Sequence, residues 1–86
     1  MPKLFVYLGV IVFFYSKEHE PIHVHGFYQG RESKAEVTVR DGKVVKITYG
    51  KVAKMKPLRR SEMVNFKELV EAKADGAHLD TGAGGS

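Results

Sequence analysis

The sequence has no cysteine, no tryptophan and only three prolines. Without cysteine, disulfide stapling, thiol nucleophiles and cysteine-ligated zinc are all excluded, which fits a reducing, cytoplasmic setting. A run long enough to cross a membrane is also missing. The stretch Leu4 to Tyr15, LFVYLGVIVFFY, is charge-free but twelve residues long, against about 20 for a transmembrane helix. It is not followed by the small-residue cleavage site of a secretory signal, since Ser16, Lys17, Glu18 and His19 come next. Its valines and aromatics suit buried strand instead, and no membrane partner is expected.

Acidic residues are absent from one segment. Residues 51–60, KVAKMKPLRR, hold Lys51, Lys54, Lys56, Arg59 and Arg60 and no acid. The formal net charge is +4; with those five taken from the 14 basic residues, nine remain against ten acids. The positive charge therefore belongs to one strip and not to the chain at large. Such a strip suits a phosphate backbone, with Tyr49 just before it, or is a solvated connector between sheet and helix.

What is present reads as one domain over residues 1–75. At 86 residues, a chain buries only about 60% of its unfolded surface, so a homodimer or a protein partner would add stability. Residues 4–15 form a bent strand or a hairpin about Gly9. SKEHEP, residues 16–21, is a loop, and His23 to Tyr28 returns to strand. Residues 34–49 are a β-hairpin about Arg40-Asp41-Gly42. A three-residue loop pairs Val39 with Lys43, Val37 with Val45 and Ala35 with Ile47. It keeps the inner pairs apolar and puts Glu36, Thr38, Val44, Lys46 and Thr48 on the other face, and is the register favoured here. Ser61 is the expected N-cap of a helix over 61–75, whose Met63, Phe66, Leu69, Val70 and Ala74 make one apolar stripe. Gly76 stops it. Residues 76–86 read as a disordered tail outside the fold, which also removes His78 from any site. The expected fold class is α+β, a small antiparallel sheet of three to five strands with the helix packed across one face.

The unusual feature is EHEPIHVH, residues 18–25, with three imidazoles in seven positions. On a strand, His23 and His25 share a face, and Pro21 sets His19 on the preceding loop. Three chemistries use this pattern. His19, His23 and His25 make an open site for a divalent transition metal such as zinc, with Glu18, Glu20 or Glu32 to complete it. His23 and His25 act as catalytic acid and base on a phosphodiester or ester. Or the imidazoles, with nearby lysines, recognise phosphate or carboxylate. Against all three stands a purely structural role, with the histidines hydrogen-bonded so as to hold the loop that Pro21 begins. The aromatics Phe13, Phe14, Tyr15, Phe27 and Tyr28 suggest a stacking platform for single-stranded bases, although alternate ones must be core.

At Gly9, Val10 to Tyr15, Glu18-His19, Pro21 and His23-Val24-His25 the sequence resembles a bacterial family, the domain of unknown function DUF4160. Arg31 to Tyr49, Pro57 and Ser61 to Asp75 match the rest of its layout. Two departures stand out: Pro21-Ile22 where members often have two prolines, and no tryptophan-bearing stretch after the helix. Members often sit beside another small gene in a layout that looks like toxin–antitoxin modules. The resemblance therefore implies a binding module of such a pair, contacting RNA or a small partner protein encoded nearby. It assigns the histidines no catalytic role; the alternative is a metal-binding or histidine-dependent hydrolase.

Overall fold

Three dipeptides ending in glycine fold the chain back on itself. Leu8-Gly9, Gln29-Gly30 and Asp41-Gly42 all have positive φ at both residues (51° and 87°, 46° and 77°, 55° and 77°). This is the signature of two-residue type I′ turns, whose twist matches that of the flanking strands. In the computed structural model, which describes residues 3–16 and 21–75, the strands are β1 (Lys3–Tyr7), β2 (Val10–Tyr15), β3 (Ile22–Tyr28), β4 (Arg31–Arg40) and β5 (Lys43–Lys51), followed by the helix α1 (Arg60–Asp75). The sheet is an antiparallel meander in the order β1-β2-β3-β4-β5. The fold is thus α+β with five strands, and residues 4–15 are a hairpin. Residues 76–86 lie outside the described residues.

The helix covers one sheet face. Val10, Val12 and Phe14 of β2, Val24 of β3, and Ala35 and Val37 of β4 meet Phe66, Leu69, Val70 and Ala74 of α1, with Leu58 closing the end. Met63 packs at the margin. Each buried valine, leucine or phenylalanine among them contributes about 1.5–3 kcal/mol by leaving water. Gly26 makes room for the largest of them, since a Cβ there would lie 2.6 Å from Phe66 Cδ1.

Two local expectations are corrected. The β4–β5 loop has two residues, not three: Arg40 pairs with Lys43 and Val39 with Val44. The register then shifts, because Thr38 pairs with Lys46 and leaves Val45 unpaired in a bulge. Beyond it Val37 faces Ile47 and Ala35 faces Tyr49. The apolar match that argued for the longer loop is met by this one-residue insertion, and Val44 joins the core side. The second correction is at the helix start. The helix begins at Arg60, so Arg59 is the N-cap. The Glu62 carboxylate accepts from the Arg59 backbone N–H at 3.2 Å, as N3 of a capping box does. Ser61 lies inside the first turn and donates to Glu62 at 2.9 Å.

The connector after β5 doubles back beside the start of β4. The Glu32 N–H donates to the Lys56 carbonyl at 2.8 Å, and Arg31 Nη1 donates to the Pro57 carbonyl at 3.2 Å. The buried Ser33 hydroxyl accepts from the Leu58 N–H at 3.0 Å. Tyr49 ties β5 to the helix by donating to Glu71 at 3.2 Å. Burial, then the Glu71 charge and hydrogen bond, push its phenol well above the usual range. Among the described residues no helix is long and apolar enough to cross a membrane.

Candidate functional site: the open face of the sheet

Alternation along the strands sends half of the side chains away from the helix, onto a face that no described residue covers. The register fixes its rows. Leu4 lies opposite Phe13, and Phe13 opposite His25, which faces Lys34. One row along, Val6, Ile11, Phe27 and Glu32 are aligned in the same way. Tyr15, His23, Glu36 and Thr48 form the third. The face is therefore aliphatic at β1, aromatic at β2 and β3, and charged at β4. Leu4, Val6, Ile11 and Tyr15 are all exposed.

The aromatic middle is a connected set. Phe13 meets Phe27 edge to face with centroids 5.5 Å apart, and Tyr15 lies 6.2 Å from Phe13. The His25 ring stands edge to face with Tyr15 at 5.8 Å and is stacked near Phe27 at 6.4 Å, 24° from parallel. Of the five aromatics considered for a stacking platform, Phe13, Tyr15 and Phe27 are on this face. Phe14 and Tyr28 belong to the core side.

Both described histidines of the cluster have a carboxylate neighbour on β4. His25 Nδ1 lies 2.8 Å from Glu32 Oε2, and the Glu32 side chain is only 12% exposed. Glu32 is diagonal to His25, within reach of a long side chain. His23 Nδ1 lies 3.8 Å from Glu36 Oε2, an ion pair when the ring is protonated. His23 and His25 thus share a face, as their spacing predicts. His19 lies outside the described residues. Among the described residues no three of His, Asp or Glu gather at a point that could hold an ion. The two imidazoles are each engaged with a separate carboxylate instead.

The basic strip meets this site at one point. Lys51 ends β5, Lys54 sits in a turn with φ 66°, and Lys56 bridges to Arg31. Its carbonyl takes the N–H of Glu32, the residue whose side chain holds His25. Arg59 and Arg60 lie further on, at the helix start, where they line a shallow depression with Ser61, Val64 and Asn65. All five cations are exposed. The strip therefore wraps the end of the sheet, adjoining the imidazoles through Glu32 but not sharing their face as a whole. Lys34, directly opposite His25, is the cation that sequence reasoning missed, as it missed Glu36. Both follow once Gln29-Gly30 is read as a turn, because that turn sets the β3–β4 register.

Of the motif residues that carried the resemblance, Val10 to Tyr15 form β2 and His23 to His25 lie on β3. A family model, Domain of unknown function (DUF4160), matches residues 9–77. The chain belongs to the DUF4160 family. No curated protein and no solved structure gives a match. The matched span begins at the Gly9 turn and takes in β2 to β5 and the helix, so the aromatic and charged parts of the open face lie within the DUF4160 domain. Leu4 and Val6 precede it.

Proposed function

We propose that this domain is a single-stranded RNA-binding module of a toxin–antitoxin-like two-gene system, working in the cytoplasm beside a small protein partner. The observation that carries the RNA reading is the connected set of Phe13, Tyr15, His25 and Phe27 on the open face of a sheet whose other face is closed by a helix. Tyr15 is exposed and Phe13, His25 and Phe27 are half-buried, and partly open rings on a rigid sheet offer stacking surfaces to unpaired bases, whatever their sequence. Lys34 and Lys46 stand on the same face by register, and Lys51, Lys54, Lys56, Arg59 and Arg60 extend from its end to receive the backbone. The two-gene setting rests on family membership.

Electrostatic contact makes affinity depend on salt. For single strands the logarithmic slope is about −0.7 per phosphate contacted, so five contacts give roughly a 100-fold loss of affinity between about 50 and 200 mM salt. Titrating a labelled oligouridine by fluorescence anisotropy measures this directly. Replacing Lys51, Lys54, Lys56, Arg59 and Arg60 with alanine should flatten the slope. A flat slope in the unaltered protein, or no binding at low salt, would defeat the proposal.

A further inference from the structure

We propose that the open face also cleaves the RNA it binds, without a metal ion, using His25 and His23 as base and acid and Lys34 as the stabilising cation. The inference rests on the RNA reading above. It starts from the Glu32–His25 pair. A carboxylate can only accept, so at 2.8 Å the His25 Nδ1 donates to Glu32. In the neutral ring that fixes the tautomer with Nε2 as the basic nitrogen. Phe27 and Tyr15 flank the ring, stacked at 6.4 Å and edge-on at 5.8 Å. His25 is thus a held imidazole on the open face, with no partner for Nε2 among the described residues.

The second imidazole is placed for the opposite job. His23 is two residues away on the same strand face, about 7 Å along the strand, which leaves room for a phosphate between the rings. Glu36 lies 3.8 Å from it, an ion pair when the ring is protonated. Lys34 is opposite His25 in register and exposed; its stem lies beside Gly50 of β5, from which the flexible side chain swings toward β3 to meet a bound phosphate. Among the described residues, Tyr15, Glu32, Lys34 and Glu36 are the titratable groups set beside the two rings by register and contact.

The reaction balances within the RNA strand. His25 Nε2 takes the proton of a 2′-hydroxyl, and the 2′-oxygen attacks the adjacent phosphorus. The bond from phosphorus to the 5′-oxygen of the next nucleotide breaks as protonated His23 delivers a proton to that oxygen. Lys34 offsets the charge that builds on the non-bridging oxygens. The products are a 2′,3′-cyclic phosphate and a 5′-hydroxyl, and a proton returning from His25 to His23 through water resets the site. Glu32 is a positioning residue, since it acts through His25.

The test uses two labelled oligouridines, one with ribose and one with 2′-deoxyribose, in EDTA. Both should bind and only the ribose strand should be cut, to fragments whose masses show 2′,3′-cyclic phosphate and 5′-hydroxyl ends. His25→Ala should lower the cleavage rate at saturating RNA about 100-fold or more; His25→Gln serves if the alanine variant does not fold. Glu32→Gln should lower kcat and leave KM unchanged. Binding of both strands with no cleavage overturns this inference and leaves the RNA reading standing. No binding of either overturns both. Cleavage that persists in the His25 variants, needs a metal ion or leaves 3′-hydroxyl ends also overturns it.

Discussion

Gly26→Ala should destabilise the domain by about 1–3 kcal/mol, the usual cost of forcing extra volume into a packed core. The added Cβ would meet Phe66 Cδ1 at 2.6 Å and Cε1 at 2.7 Å, closer than such atoms approach. Phe66 is wholly buried, so its ring cannot swing into solvent. For a domain of this size the expected fall in Tm is roughly 5–20 °C, read by thermal unfolding followed by circular dichroism. Shortening the ring should restore part of the loss, so Gly26→Ala with Phe66→Leu should be less unstable than the sum of the two single changes. An unchanged Tm for Gly26→Ala would mean that the helix does not seat its phenyl ring on β3. This matters for function, because Gly26 lies between His25 and Phe27. The contact that seats the helix on one face also fixes the strand that presents the imidazole and the stacking ring on the other.

Phe13→Ala with Phe27→Ala should weaken single-stranded RNA binding by at least about 30-fold. Each base stacked on an aromatic ring contributes roughly 1–3 kcal/mol by alanine substitution, and the two rings support one another across the strands at 5.5 Å. The salt dependence separates this loss from a general one. Phosphate contacts made by the strip and by Lys34 are untouched, so the slope of affinity against salt should stay the same while the whole line drops. Both rings lie on the open face, hence the variant should keep its β-sheet signal and a cooperative melt. Affinity equal to that of the unaltered protein would remove stacking from the account.

The helix and its stripe were legible in advance because Phe66, Leu69, Val70 and Ala74 recur at a period that only a helix gathers on one side. The β4–β5 hairpin was legible in place but not in register. Its Asp41-Gly42 turn is a strong signal, yet the bulge at Val45 reverses the alternation halfway along β5, and no residue type there announces it. Leu8 in a left-handed conformation is no turn residue by type, so only Gly9 marked the first hairpin. For the site, the i, i+2 spacing of His23 and His25 sufficed to put them together. Their carboxylates were hidden because Glu32 and Glu36 come from the next strand, and pairing with them depends on the turn at Gln29-Gly30. The aromatics posed the remaining ambiguity. Alternation splits Phe13 from Phe14 and Phe27 from Tyr28, but which set meets the helix depends on where the one helix docks.

The most direct measurement is a residue-by-residue NMR titration of the whole chain with a short oligouridine at low salt. The account predicts shifts that saturate together at Phe13, Tyr15, His23, His25, Phe27 and Lys34 and along Lys51 to Arg60, while the helix-facing Val12, Val24 and Val37 hold still. Shifts confined to the helix surface, or none at all, would contradict an RNA-binding open face.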